Sequence, residues 1–265
     1  MRRLLFALGM IASVAASGAS FDHQHKPWDA LVERHVTWVS DHTASVVDYA
    51  GFREDRPTLN QYLASLSQVS ESQYQSWGPD QQLAFLINAY NAFTVKLILS
   101  EYPQLDSIKD LGGLFTSPWD KAFFELRGQQ RTLDELEHEM IRVEFNEPRI
   151  HMAVNCASVG CPALADEAYV AGRLDSQLDA AVRAFLSDAS RNRYAPDTNT
   201  FAVSSIFDWY GEDWNEASGY PNGVRGFLWQ YRSAFETPPT DQSDTLNATL
   251  RFLDYDWALN DNDQS

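Results

Sequence analysis

The chain has two cysteines, Cys156 and Cys161. Both stand in Arg149-Ile150-His151-Met152-Ala153-Val154-Asn155-Cys156-Ala157-Ser158-Val159-Gly160-Cys161-Pro162, which also carries one of the six histidines. These residue types admit three chemistries. The spacing allows a small disulfide ring, whose loop-closure contribution is about 2 kcal/mol. A thiolate at Cys156 or Cys161 is a nucleophile once a base removes its proton. In that reading His138 or His151 moves the proton, and Asn88, Asn91 or Asn155 orients the imidazole or donates to an oxyanion. His138, His151, Cys156 and Cys161 together form a donor set suited to zinc, although their spacing matches no recognised finger. The thiol reading implies a hydrolase or acyl transferase acting on peptide or cell-envelope amide bonds. The disulfide reading implies a non-enzymatic binding or structural module, in which Arg149 and His151 hold a ligand carboxylate or a buried network.

Position decides among these. A strand over Arg149 to Asn155 turns Arg149, His151, Ala153 and Asn155 one way and Ile150, Met152 and Val154 the other. At about 3.3 Å per residue His151 then stands roughly 16 Å from Cys156 along the strand, which makes His138 the better base. A loop folding back instead brings Cys161 alongside His151. Pro162 suits the first position of a short helix, whose N-terminus favours a thiolate at Cys161.

His138 belongs to a helix opened by a capping box of Thr132 and Glu135 and running through Phe145. Leu133, Leu136, Met140 and Val143 form its main apolar stripe, and His138, Ile141 and Phe145 fall on a second face. Before it, Ala122 to Thr132 reads as a hairpin turning near Gly128. The segment Gln81 to Tyr102 is apolar on nearly every side and predicts a central helix packed all round and ended by Pro103. Asn88 and Asn91 share one face of it. A buried unpaired amide costs roughly 1 to 3 kcal/mol, so both are expected to bind backbone or a polar site.

Periodicity places further helices over Trp28 to Ser40, around Leu59, Leu63 and Leu66, and around Leu174, Leu178, Val182 and Phe185. Strand-like runs stand at Val46 to Tyr49 and in a hairpin over Tyr194 to Val203. Ser204 or Ser205 is placed to cap Ile206 to Tyr210. Trp209 and Tyr210, with Trp214, are candidates to line a sugar- or peptide-binding groove, with core packing as the alternative.

Composition narrows the partners. With 37 acidic and 20 basic residues the chain carries a formal charge of −17. Nucleic-acid binding relies on clustered Lys and Arg, and no basic run here exceeds two residues, so nucleic acid is excluded as a partner. Arg2 and Arg3, the apolar run Leu4 to Ala16 and the small residues Ser17 to Ser20 have the order of a secretory signal peptide cleaved after Ala19. That predicts a periplasmic or secreted protein, where disulfides persist. No later stretch offers the roughly 20 uninterrupted apolar residues of a membrane span. There is no phosphate-binding glycine loop, nucleophile elbow or zinc-protease helix motif, and no cofactor is expected.

Several segments, in order, resemble the bacterial DUF547 family, whose label records an undefined function. They are Ala84 to Ala92 (AFLINAYNA), Leu136-Glu137-His138, Pro148-Arg149-Ile150-His151, Asn155-Cys156-Ala157-Ser158 with Cys161-Pro162, Ile206-Phe207-Asp208-Trp209-Tyr210, and Tyr255-Asp256-Trp257. Some plant relatives join a similar domain to a glutaredoxin-like one, an association that points toward thiol chemistry. The expected architecture is α+β, a helix-rich single domain over residues 20–259 with a small β-sheet packed on a central apolar helix. Residues 1–19 form the leader and 260–265 a polar, disordered tail. The expected ligand is an unidentified small molecule, peptide or envelope component.

Overall fold

The structure, a computed structural model, describes residues 20–39, 41–113 and 116–262. The predicted leader over residues 1–19 lies outside the described residues. No described helix is long and apolar enough to cross a membrane.

Helix α1 (Lys26–His35) buries Trp28, Leu31, Val32 and His35, which fall on one stripe at helical spacing. It stops short of the expected Ser40. The β-branched run from Val36 leaves the helix as β1 (Val36–Val39), paired antiparallel with β2 (Ala44–Val47) so that Val36 faces Val47. Three helices follow, α2 (Tyr49–Glu54), α3 (Arg56–Ser67) and α4 (Glu71–Gln75), and α3 buries Leu59, Leu63 and Leu66 as their spacing predicts.

Helix α5 (Pro79–Ile98) is the central element, buried almost continuously from Leu83 to Ile98. It ends one turn before the expected Tyr102. Ser100 bonds back to the Leu97 carbonyl, and a residue preceding proline, here Tyr102, is disfavoured in the helical conformation.

Strands β3 (Phe124–Leu126) and β4 (Gln129–Arg131) form a hairpin turned by Arg127 at φ 53° and Gly128 at φ 74°. Two consecutive positive φ values are the requirement of a type I′ turn. The capping box then forms as expected: Glu135 N–H donates to Thr132 Oγ1, and Thr132 N–H donates to Glu135 Oε2, each at 3.0 Å.

The helix it opens is not regular. Glu135–Ile141 is a π-helix, continued by the short α6 (Arg142–Glu144). Arg142 N–H donates to the carbonyl of Glu137, five residues back rather than four. Each wider turn rotates the following side chains relative to α-helical phase. Hence Val143, predicted on the apolar stripe, is 76% exposed.

The strand predicted over Arg149 to Asn155 is absent, and Pro148–Met152 is a turn of 3-10 helix. Pro148 starts it and the Glu147 carboxylate accepts the Arg149 N–H, so local hydrogen bonding supplies what a neighbouring strand would have. Nor does Pro162 open a helix, since the chain is irregular until the turn Ala171–Arg173 ahead of α7 (Leu174–Ser187).

A three-stranded sheet closes the C-terminal half. β5 (Arg193–Ala195) and β6 (Thr200–Ser204) form the expected hairpin. After α8 (Ile206–Trp209), α9 (Gly223–Gln230) and α10 (Gln242–Asn247), β7 (Thr249–Leu253) returns parallel to β6. Ser204 Oγ accepts the Ile206 N–H at the start of α8.

Two hydrophobic cores result, one around α5 and one built from Phe185, Phe201, Phe207, Trp214 and Phe227. The 3-10 turn bridges them, with Ile150 in the first and Met152 in the second. Asn260 and Asp261, assigned by composition to a disordered tail, are buried instead. Val47 N–H donates to the Asn260 carbonyl, and Tyr49 Oη donates to its side chain at 2.8 Å.

Candidate functional site

A cavity of about 280 Å³ opens where the two cores meet. Its walls carry the rings of Tyr90, Trp119, Trp209, Tyr210, Tyr255 and Trp257, together with Asp134, Glu137, His138, His151 and both cysteines.

The π-helix supplies the acidic side. Glu137 is buried beside the cavity, next to the Tyr90 and Tyr210 hydroxyls. Burial pushes both phenols well above their ordinary range, and the neighbouring Glu137 charge and hydrogen bond add to that, so both act as donors toward the carboxylate. π-Helical turns are rare and concentrate at functional sites.

The 3-10 turn supplies His151, whose Nε2 lies 2.7 Å from Asp213 Oδ2. Its ring is stacked on Tyr210 with centroids 4.2 Å apart. Arg142 donates to the same carboxylate from Nε at 2.7 Å and Nη2 at 2.8 Å. Burial works to raise the Asp213 pKa, but the bonds from His151 and Arg142 outweigh it and hold the carboxyl well below its usual range. A carboxylate accepting from Nε2 leaves Nδ1 as the acceptor of a neutral His151 ring. Arg142 Nη1 also lies 3.0 Å from His138 Nδ1; since the guanidinium can only donate, that nitrogen accepts. His138 Nε2 is 3.5 Å from Asp134.

The cysteines are joined as a disulfide at the lip. Tyr255 Oη lies 3.1 Å from each sulfur. The loop between them is stitched to the C-terminal segment, with Val159 N–H donating to Ala258 O and Gly160 N–H to Asp256 O, each at 2.8 Å. A Cβ at Gly160 would stand 2.9 Å from that Asp256 oxygen, so the approach requires glycine. This contact sets Tyr255 and Trp257 against the cavity.

Cys156, Cys161, His138, His151, Trp209 and Tyr210 are thus brought together, and the strand-based separation of His151 from the cysteines does not hold because the segment coils. Trp209 is 45% exposed and lines the cavity, while Trp214 is core. The other predicted site residues lie elsewhere. Asn88 exchanges two hydrogen bonds with the Tyr169 backbone, at 2.7 and 3.0 Å. Asn91 donates to Ala153 O at 2.9 Å and accepts the Asn155 N–H at 2.8 Å. Asn155 bonds Pro162 O and the Ala157 N–H, and Arg149 is held by Glu147 and Asp175. These four brace the segments that carry the site, because every amide or guanidinium contact goes to the protein itself.

Sequence reasoning missed Glu137, Asp213, Arg142 and the rings of Tyr90, Trp119, Tyr255 and Trp257. A signal existed for Glu137, which follows Leu133 by one helical repeat and so falls on the buried stripe. None existed for Asp213. With the sulfurs bonded to each other, neither is available as a nucleophilic or zinc-binding thiolate, and no cluster of three His, Cys, Asp or Glu is arranged for a metal among the described residues.

No curated protein and no solved structure matches the chain. The family model described as "Protein of unknown function, DUF547" matches residues 74–186, from α4 to the end of α7. That stretch holds the π-helix and both cysteines but not Trp209, Asp213, Tyr255 or Trp257. Over residues 74–186, therefore, the chain is similar to the DUF547 family.

Proposed function

We propose that this protein binds a small organic molecule, or one end of a larger peptide or envelope component, in the cavity above Glu137, with the disulfide loop as its rim. One observation carries the reading: six aromatic rings converge on an open cavity that also holds a buried carboxylate. Ligand sites are concave, mostly apolar, and carry a few placed polar groups. At about 280 Å³ the space suits a ligand of one ring or a short chain.

The closed Cys156–Cys161 pair favours binding over thiol-dependent hydrolysis or acyl transfer, which needs the pair reduced before either sulfur can attack. The reading also goes with residence in an oxidising compartment, periplasmic or extracellular, where such a pair stays closed.

Benzyl alcohol and methyl β-glucoside are suitable probes, followed through the tryptophan indole N–H resonances of ¹⁵N-labelled protein. The expected result is a saturable shift of the Trp209 and Trp257 signals with at least one probe, the Trp257 shift being abolished in Trp209→Ala. Silence from both tryptophans with both probes overturns the assignment.

A further inference from the structure

The charge around the cavity is one-sided. Asp134 and Glu137 line it, and among the described residues no Lys or Arg does. Two guanidinium groups that touch lining residues are already paired: Arg142, beside His138, with Asp213 and Glu212, and Arg191, which donates to Cys161 O, with Asp188. The aromatic faces are already competent to receive a cation: the Lys109 ammonium, which is not part of the lining, sits 3.7 Å from the Trp257 ring centroid. Trp209 is stacked near Trp257, at 5.8 Å between centroids, and keeps 45% of its surface exposed.

From this juxtaposition of aromatic faces and a buried carboxylate we infer that the ligand carries a positive charge, as a substituted or quaternary ammonium group seated against Trp209 and Trp257 and facing Glu137. The inference rests on the binding reading above and specifies its ligand class. Ring quadrupoles attract such groups, and do so most strongly when water is excluded. A carboxylate in a partly desolvated wall adds a Coulomb attraction larger than the same pair has in water. The chain's charge of −17 supplies a long-range field of the same sense. An anionic ligand meets the opposite balance, with two carboxylates and no Lys or Arg among the described residues of the wall.

Choline and 3,3-dimethylbutan-1-ol form a suitable pair, since they share shape and hydroxyl and differ in charge. Binding is followed by tryptophan fluorescence and by the Trp209 and Trp257 resonances. Choline is expected to bind about tenfold tighter than the alcohol. Glu137→Gln is expected to weaken choline about tenfold and to leave the alcohol within about twofold. Equal affinities, or tighter binding of the alcohol, overturn the charge inference and leave the binding site standing. Silence of both compounds while benzyl alcohol or methyl β-glucoside still binds also overturns the charge inference, and silence of all four removes the site itself. Should Glu137→Gln fail to fold, the choline-to-alcohol ratio of the unaltered protein still decides.

Discussion

Helix α5 and the π-helix pack against each other, yet they treat buried polar side chains in opposite ways. In α5 the regular ladder leaves Asn88 and Asn91 to brace other parts of the chain, and each amide is matched on both sides by backbone groups. In the π-helix Glu137 is buried beside a cavity, and the wider turn sends Val143 out to solvent. The contrast separates structural burial from functional burial. A polar group whose partners are all backbone specifies the fold, and one whose carboxylate borders an open space is available to a ligand.

The largest effect that tests this contrast is expected at Asn91. Asn91→Ala leaves the Ala153 carbonyl and the Asn155 N–H buried without partners, a loss of about 2 to 6 kcal/mol at roughly 1 to 3 kcal/mol for each group. Urea unfolding measures it. Glu137→Gln should change stability by less than about 1 kcal/mol in the same assay. Equal losses would break the distinction between the two helices.

A smaller effect is expected at the rim. Gly160→Ala forces a Cβ against the Asp256 backbone and should cost about 1 to 3 kcal/mol. It should also disturb the Tyr255 and Trp257 side-chain resonances more than those of the α5 tyrosine, Tyr90. Uniform shifts throughout the protein would blunt the assignment of Gly160 to the rim.

The smallest effect is electrostatic. The Asp213 carboxyl is held below its unfolded value, so the unfolded chain binds the proton more readily. Its contribution is therefore fully present above about pH 4 and is lost as the pH falls through the folded value. Asp213→Asn should flatten the acid limb of a stability-against-pH curve below about pH 4, while the curve near neutrality keeps its slope. An unchanged acid limb would remove Asp213 as the group that anchors His151.

Much of the framework was legible because it depends on local pattern. The all-round apolar character of α5, the hairpin at Gly128, the capping box at Thr132 and Glu135, and the stripe of α7 are each written within a few residues. The misreadings share a cause. Alternating side chains over Arg149 to Asn155 resemble a strand, but a strand needs a neighbour, and Glu147 with Pro148 settled the segment as a 3-10 turn. The helix after Thr132 was phased at the α-helical repeat, which the π turns do not follow. Asn260 and Asp261 look like tail by composition, yet partners in the β1–β2 hairpin and α2 bury them.

By itself the sequence determined the helix-rich character, the acidic charge and the presence of two cysteines close enough to pair, because these follow from composition and short-range spacing. Only the tertiary structure decided that the cysteines are paired, that Asp213 orients His151, and that Trp209, Trp257 and Glu137 line one cavity. Those relations join residues from separate segments across the meeting of two cores. Such contacts arise from packing rather than from neighbouring positions, and no local periodicity records them.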